Sequence, residues 1–368
     1  MFSDFLLKIN THFSKGLPFV GYRKPGEEKV TGIFQKDDAL HHIKTYTETG
    51  FAFSAFDSKT PVLLQIDEKY EAAYQSSKNT NRPTSSTQFL KQEEGKKEDY
   101  IDLVQKAIDQ INKGTFEKVV LSRKIELASI KGPLELFQTL LNLYPSAFCY
   151  LWYHPKVGLW MGATPEILLK TENKRITTMS LAGTKAYVPN ESPIWKEKEL
   201  NEQALVTQYI VNALVGKIEK TNISDRESIQ AGNVWHLRSS ISGIMKASLK
   251  EIVNALHPTP AVCGLPKETS KAFILENEDY KREYYTGFLG ELNFTEVKER
   301  TSKARNQENK AYKTITTKSR LFVNLRCMKM IDKKVIIYVG GGVTNKSDPE
   351  KEWEETVIKS ATMGNVIG

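Results

Sequence analysis

The chain has 368 residues, 40% hydrophobic and 26% charged, which is ordinary for a soluble globular protein and enough to bury a sizeable core. No apolar run reaches the roughly 18 residues a membrane helix needs, and Met1-Phe2-Ser3-Asp4-Phe5-Leu6-Leu7-Lys8 lacks the features of a signal peptide, so a soluble, cytoplasmic protein is expected. The net charge of +8 raises nucleic acid as a partner, whereas Cys149, Cys263 and Cys327, odd in number, far apart and in apolar stretches, read as reduced core residues.

In chain order, the first part carries short apolar runs bounded by glycine and proline, such as Leu17-Pro18-Phe19-Val20-Gly21-Tyr22. Residues 76–98 are polar, at first rich in Ser, Thr and Asn, and read as a surface loop that separates 1–98 from a larger remainder, 99–368. From Tyr100 to Ile111, Ile101, Val104, Ala107, Ile108 and Ile111 recur at helical spacing, with Lys113-Gly114 as a stop. A strand over Lys118–Ser122 and a short helix around Leu134–Leu143 follow. Phe148–Tyr153, Val157–Gly162, Glu166–Thr171 and Lys174–Ser180 read as successive strands. A long helix is expected over Ile194–Lys220 and a shorter one over Ser248–Ala255. Phe322–Met330 and Lys334–Gly340 read as a hairpin across Asp332-Lys333, and Glu350–Met363 as a last helix. Strands arrive in runs with helices between the runs, which predicts an α+β layered fold with largely antiparallel sheets.

The positive charge is concentrated in residues 295–320. That segment holds eight bases (Lys298, Arg300, Lys303, Arg305, Lys310, Lys313, Lys318, Arg320) against Glu296, Glu299 and Glu308, a local +5 that leaves +3 elsewhere. Its sole aromatic is Tyr312, so the stacking platforms of single-strand binders are missing and a solvated basic loop is the simpler reading. A binder of nucleic acid or another anionic surface through this segment is the alternative from a different functional class.

Five features could carry chemistry. Lys118 lies among Val119, Val120 and Leu121; it is either an edge lysine facing solvent or a desolvated lysine able to act as a base. Glu166 follows Gly162-Ala163-Thr164-Pro165, a turn that could fix its carboxylate in one direction. Glu199 and Glu202 share a helix face with Val206 and Ile210, and Glu352, Glu355 and Lys359 line one stripe of the last helix. Glutamates from two helices facing one cavity would suit Mg²⁺, a hard cation that takes oxygen ligands; otherwise they are solvated faces. Gly340-Gly341-Gly342 permits close approach to an anionic ligand or serves a hairpin exit, and His257 could orient substrate or be structural.

Together these segments resemble the chorismate-utilising enzymes, most closely the isochorismate synthases. The motifs that carry the resemblance are Lys118-Val119-Val120-Leu121-Ser122-Arg123, Gly162-Ala163-Thr164-Pro165-Glu166, Leu181-Ala182-Gly183-Thr184, Asn201-Glu202-Gln203 and His257-Pro258-Thr259-Pro260-Ala261-Val262-Cys263-Gly264. Tyr285-Thr286-Gly287-Phe288-Leu289-Gly290, Leu325-Arg326-Cys327, Gly340-Gly341-Gly342 and Glu352-Trp353-Glu354-Glu355-Thr356 complete them.

The resemblance implies one large α+β domain of two packed, mainly antiparallel sheets flanked by helices, with 99–368 as the chorismate-binding catalytic region. It implies Lys118 as the base that activates water and Glu166 as the acid that protonates the departing hydroxyl. Glu202 and Glu355 would be the Mg²⁺ ligands, with Glu199 and Glu352 as weaker candidates. Substrate contacts are implied for Ala182, Gly183, Thr184, His257, Tyr285, Arg326, Gly340, Gly341, Gly342 and Lys359. The implied activity is interconversion of chorismate and isochorismate, for menaquinone or siderophore synthesis with a lean to menaquinone, by a monomer. Ammonia-using relatives, the anthranilate and aminodeoxychorismate synthases, usually carry Gln where Lys118 stands, so a lysine points to water. Salicylate synthases, which share the lysine, are the nearest alternative. Gln203 departs from a common His, and Lys185-Ala186-Tyr187 departs from the pattern after Thr184.

Overall fold

The computed structural model describes residues 1–75, 94–188, 191–231, 234–299 and 313–368. Two large antiparallel sheets pack face to face, with helices on both outer faces. The first sheet runs, edge to edge, Gly264–Leu265, Lys118–Ala128, Lys334–Val343, Cys327–Ile331, Gly158–Thr164, Phe148–His154, Phe19–Arg23, Lys29–Phe34 and Glu68–Ala73. The second runs Ile218–Ile223, Val234–Met245, Arg175–Ala186, Ile167–Glu172, Lys313–Val323, Phe288–Glu299, Gly50–Ser54, Val62–Leu64 and His41–His42, with Glu227–Ala231 paired to Val234–Met245. The α+β architecture expected from the sequence is the one observed, and strands from the first 75 residues enter both sheets.

Alternation builds the layers. In Phe148–His154, Phe148, Tyr150 and Trp152 point between the sheets to join Tyr22, Phe51, Phe53 and Trp160, while Cys149 and Leu151 face the helices Phe2–Ser14 and Pro133–Leu143. A strand buried on both faces shows a continuous apolar run, as this one does. Outside the second sheet, Val206, Ile210 and Leu214 of the helix Glu197–Leu214 pack with Ile252, Val253 and Leu256 of the helix Leu249–Leu256.

Several sequence expectations need correction. The helix expected over Ile194–Lys220 stops at Leu214, because Gly216 adopts φ +73° and Ile218–Ile223 then joins the second sheet. Phe322–Met330 is not one strand: Lys313–Val323 belongs to the second sheet and Cys327–Ile331 to the first, with a bend at Asn324–Arg326 where Arg326 has φ +47°. The hairpin across Asp332-Lys333 forms as expected, Ile331 facing Lys334. Residues 295–299 and 313–320 are not loop but the paired ends of Phe288–Glu299 and Lys313–Val323; the rest of the basic segment, 300–312, lies outside the described residues, as do 76–93. The helix Phe2–Ser14 was unexpected, and so was Lys267–Asn277.

The chain passes between the sheets at two adjacent places. Pro165-Glu166 alone joins Gly158–Thr164 in the first sheet to Ile167–Glu172 in the second, and 324–326 makes the return. The crossings are bonded together: the Val323 amide donates to the Glu166 carbonyl at 3.0 Å, Thr164 Oγ1 to the Val323 carbonyl at 2.6 Å, and the Ala163 amide to the Arg326 carbonyl at 3.0 Å. Glu166 and Arg326 are thereby set in the cleft by backbone topology.

Candidate active site

A cavity beside these crossings collects most of the singled-out residues. Lys118, Glu166, Ala182, Gly183, Thr184, Glu202, Tyr285, Arg326, Gly340, Gly341, Gly342, Glu355 and Lys359 all line it, although they come from both sheets and two helices. Three expected residues do not. Glu199 is spent as a helix cap, accepting from the Lys196 amide at 2.9 Å. His257 packs edge-on against Phe288, its ring nitrogens buried, and burial pushes its imidazole down to about 3. Glu352 stands just behind the lining.

The acid and the lysine are both buried, 4% and 1% exposed. Burial raises the Glu166 carboxyl from 4.5 to about 8, and the more distant charges of Lys118, Arg326 and Lys359 pull it back only in part. A carboxyl in that state holds its proton at neutral pH and can give it away. Lys118 Nζ lies 2.7 Å from Glu202 Oε1. Burial alone would raise Glu202, but the Lys118 ammonium turns the shift downward, so Glu202 is a carboxylate.

The two helices are fixed from behind. Gln203, next to Glu202, is buried and donates to Ser180 Oγ at 3.0 Å, Thr207 Oγ1 at 3.0 Å and Ser239 Oγ at 3.2 Å, which pins this helix turn to the second sheet. The helix Pro349–Ile367 is held by Arg123, whose guanidinium stacks 3.9 Å from the Trp353 ring centroid while its Nε donates to Thr356 Oγ1 at 2.8 Å. Glu355 and Lys359 on that helix pair at 2.7 Å, and Lys359 also donates to the Gly340 carbonyl at 2.9 Å. A Cβ at 342 would stand 2.9 Å from Lys118 Cε and 3.0 Å from Glu202 Oε1, so a larger residue there would displace the ends of both side chains.

Models of the chorismate binding enzymes match residues 40–299 and 312–365. The chain belongs to the chorismate-binding enzymes. Among its relatives, isochorismate synthase EntC of Escherichia coli K12 is 26% identical over an alignment covering 94% of this chain and 86% of that protein. Two solved structures share the fold. A Bacillus anthracis protein described as the 2,3-dihydroxybenzoate-specific isochorismate synthase DhbC superposes with a TM-score of 0.76 at 21% identity, covering 96% of this chain and 97% of that one. MenF, the menaquinone-specific isochorismate synthase of Escherichia coli, gives 0.75 at 19% identity, covering 95% and 89%.

For a chorismate-binding enzyme the cavity holds one residue that sequence reasoning missed. His236, on Val234–Met245, lines it. Its Nδ1 lies 2.8 Å from the Gly183 carbonyl, which can only accept, so Nδ1 carries the proton and Nε2 is left to accept from Arg326 Nη2 at 2.9 Å. Burial, reinforced by Arg326, pushes the ring down to about 3, so it stays neutral and holds the guanidinium in place. A lone histidine in an unrecognised strand gives no signal beyond period-two burial. Lys185, the departure after Thr184, turns away from the cavity and donates to the Ile194 carbonyl.

Proposed function

We propose that this chorismate-binding enzyme is an isochorismate synthase, which adds water at C2 of chorismate and removes the C4 hydroxyl. The observation that carries the reading is a carboxyl protonated at neutral pH and a lysine in one cavity. Hydroxide is a poor leaving group unless it departs as water, and Glu166 supplies the proton that departure needs. Water is a poor nucleophile unless it loses a proton, and Lys118, in the same cavity, is the residue assigned to take it. Arg326, steadied by His236, offers a fixed pair of donors to a substrate carboxylate, with Tyr285 and Lys359 beside it.

The carboxylates fit a divalent cation. Among the described residues no three acidic, imidazole or thiol groups already form a metal cluster; instead a lysine holds each carboxylate, Lys118 on Glu202 at 2.7 Å, Lys359 on Glu355 at 2.7 Å and Lys198 on Glu352 at 3.5 Å. Among the described residues Glu352 Oε2 is buried without a hydrogen-bond partner, and burial together with the Glu355 charge raises its carboxyl. Glu352 Oε2 and Glu355 Oε1 lie 3.2 and 3.8 Å from where a Gly341 Cβ would sit, and Glu202 Oε1 lies 3.0 Å from the same point on Gly342. Glu202 and Glu355 would therefore hold Mg²⁺, with Glu352 alongside. When bound, the ion supplies positive charge that neutralises these acids and anchors a substrate carboxylate.

Menaquinone and 2,3-dihydroxybenzoate routes draw on the same product, so that choice belongs to the next enzyme. Incubation with chorismate and Mg²⁺, with products resolved by chromatography, tests the reading: isochorismate without pyruvate is expected. Salicylate with equimolar pyruvate, or anthranilate on adding ammonium, overturns it.

A further inference from the structure

A second cavity, of about 540 Å³, lies on the far side of the Pro165-Glu166 crossing, and Pro165 is a wall of both cavities. It lies between the turn after Phe19–Arg23 and four neighbouring strands of the second sheet, Val234–Met245, Arg175–Ala186, Ile167–Glu172 and Lys313–Val323. Six basic side chains line it, Lys24, Lys170, Arg175, Arg238, Lys318 and Arg320, against two acids, Glu27 and Glu172.

Four of these cations are already partnered. Lys24 and Arg320 share Glu291 and Glu27, Lys318 pairs with Glu296 and Glu172, and Arg238 pairs with Glu227. Among the described residues, Lys170 and Arg175 form no ion pair. Lys170 stands directly opposite Arg320 in the strand register, a juxtaposition of like charges that destabilises a sheet. Partial burial, then Arg320 and Arg238, hold its ammonium below the ordinary lysine value. The fold thus places two cations that form no ion pair among the described residues, Lys170 and, although Glu172 stands opposite it in the register, Arg175, at a concave site where field lines focus on an anion.

We propose that this cavity is a second ligand site, selective for a compact anion with two or more negative charges, phosphate- or carboxylate-bearing. Lys170 and Arg175 supply the free charges, and Arg238 and Arg320 flank them. A nucleic acid strand fits less well. The one aromatic in the lining, Phe322, is 1% exposed and offers no face for a base. Glu27 and Glu172, both on the rim with side chains 36% and 60% exposed, would repel a continuing phosphate backbone. The site also gives a role to Lys318 and Arg320 of the basic segment, which the proposed reaction leaves unused, and it does not depend on that reaction.

Isothermal titration of the full chain with inorganic pyrophosphate and, separately, with citrate tests the site and distinguishes the two anion chemistries. One-to-one binding by either anion, weakened by salt, is expected. Affinity should fall by about tenfold or more in Lys170→Ala/Arg175→Ala, the effect of losing charge-assisted contacts. Both side chains are exposed, so the double variant should keep the wild-type circular dichroism and melting temperature. Absence of saturable binding by both anions at millimolar concentration, or equal affinity in the double variant, overturns the proposal. So does a single-stranded oligonucleotide that outcompetes pyrophosphate with affinity rising with its length.

Discussion

Replacing Glu166 by glutamine keeps the side chain's shape and removes its ionisation, which isolates the energetic consequence of burying it. The folded-state carboxyl sits at about 8, against 4.5 for the ordinary group. Below pH 4.5 both the folded and unfolded chains hold this proton, and Glu166 costs nothing. Between the two values the unfolded chain has released a proton that the folded chain keeps, so wild-type stability falls as pH rises, and it levels off above about 8. At about 1.4 kcal/mol per unit, the loss between pH 5 and pH 7 is on the order of 2–3 kcal/mol. A chain of this length has a melting entropy on the order of 0.8 kcal/mol per kelvin. The melting temperature of Glu166→Gln should therefore gain about 3 °C on wild type between pH 5 and pH 7. Differential scanning calorimetry at constant ionic strength reads this directly. A gap that stays flat across that range would mean that Glu166 ionises like an exposed carboxylate, and the proton-donor role would fall with it. Wild-type kcat/KM for chorismate should correspondingly decline above about pH 8, where Glu166 loses its proton.

Three other substitutions probe the rest of the cavity. Lys118→Ala should lower isochorismate formation by roughly 10²- to 10⁴-fold, the usual contribution of a positioned base; activity within about tenfold of wild type would remove Lys118 from that role. Gly342→Ala would place a methyl group 2.9 Å from Lys118 Cε; a loss on the order of tenfold or more in turnover is expected with an unchanged circular dichroism spectrum, and wild-type rates would show that this close approach is dispensable. Gln203→Leu should cost about 1–3 kcal/mol in urea unfolding, because Ser180 and Ser239 lose their buried partner; an unmoved midpoint would mean that the polar cluster does not hold the helix.

Period-two and period-3.6 patterns made the fold class and most central elements legible, because buried strands such as Phe148–His154 are apolar throughout. What stayed hidden had a local physical cause. Gly216 and Arg326 adopt left-handed backbone that ends a helix and redirects a strand, and a continuous apolar pattern runs through both points. Lys118 was ambiguous between surface and cavity because the residue that decides it, Glu202, is 84 positions away. His257 and His236 make the same point in opposite directions. One sits in a recognisable motif yet faces Phe288, and the other sits in no motif yet braces Arg326. Neither placement follows from local sequence, since each depends on which strands the sheet brings together.

The deepest regularity of the site is that one cavity drives two glutamates apart. Burial is the largest influence on both Glu166 and Glu202, and acting alone it would raise both. The difference is an ammonium at contact distance. Glu202 has Lys118 at 2.7 Å and becomes a carboxylate, whereas Glu166 is pulled down only by the more distant charges of Lys118, Arg326 and Lys359 and stays protonated. Paired titratable groups pushed in opposite directions mark acid and anion roles within a single site. The fold achieves this by mounting Glu166 on a two-residue crossing between sheets, fixed by backbone bonds, and Glu202 on a helix pinned beside the lysine strand. Moving the lysine to contact Glu166 instead would ionise the proposed proton donor and strand the second carboxylate. The separation of the two glutamates on different elements is therefore what lets Lys118 ionise Glu202 without ionising the proposed acid, Glu166.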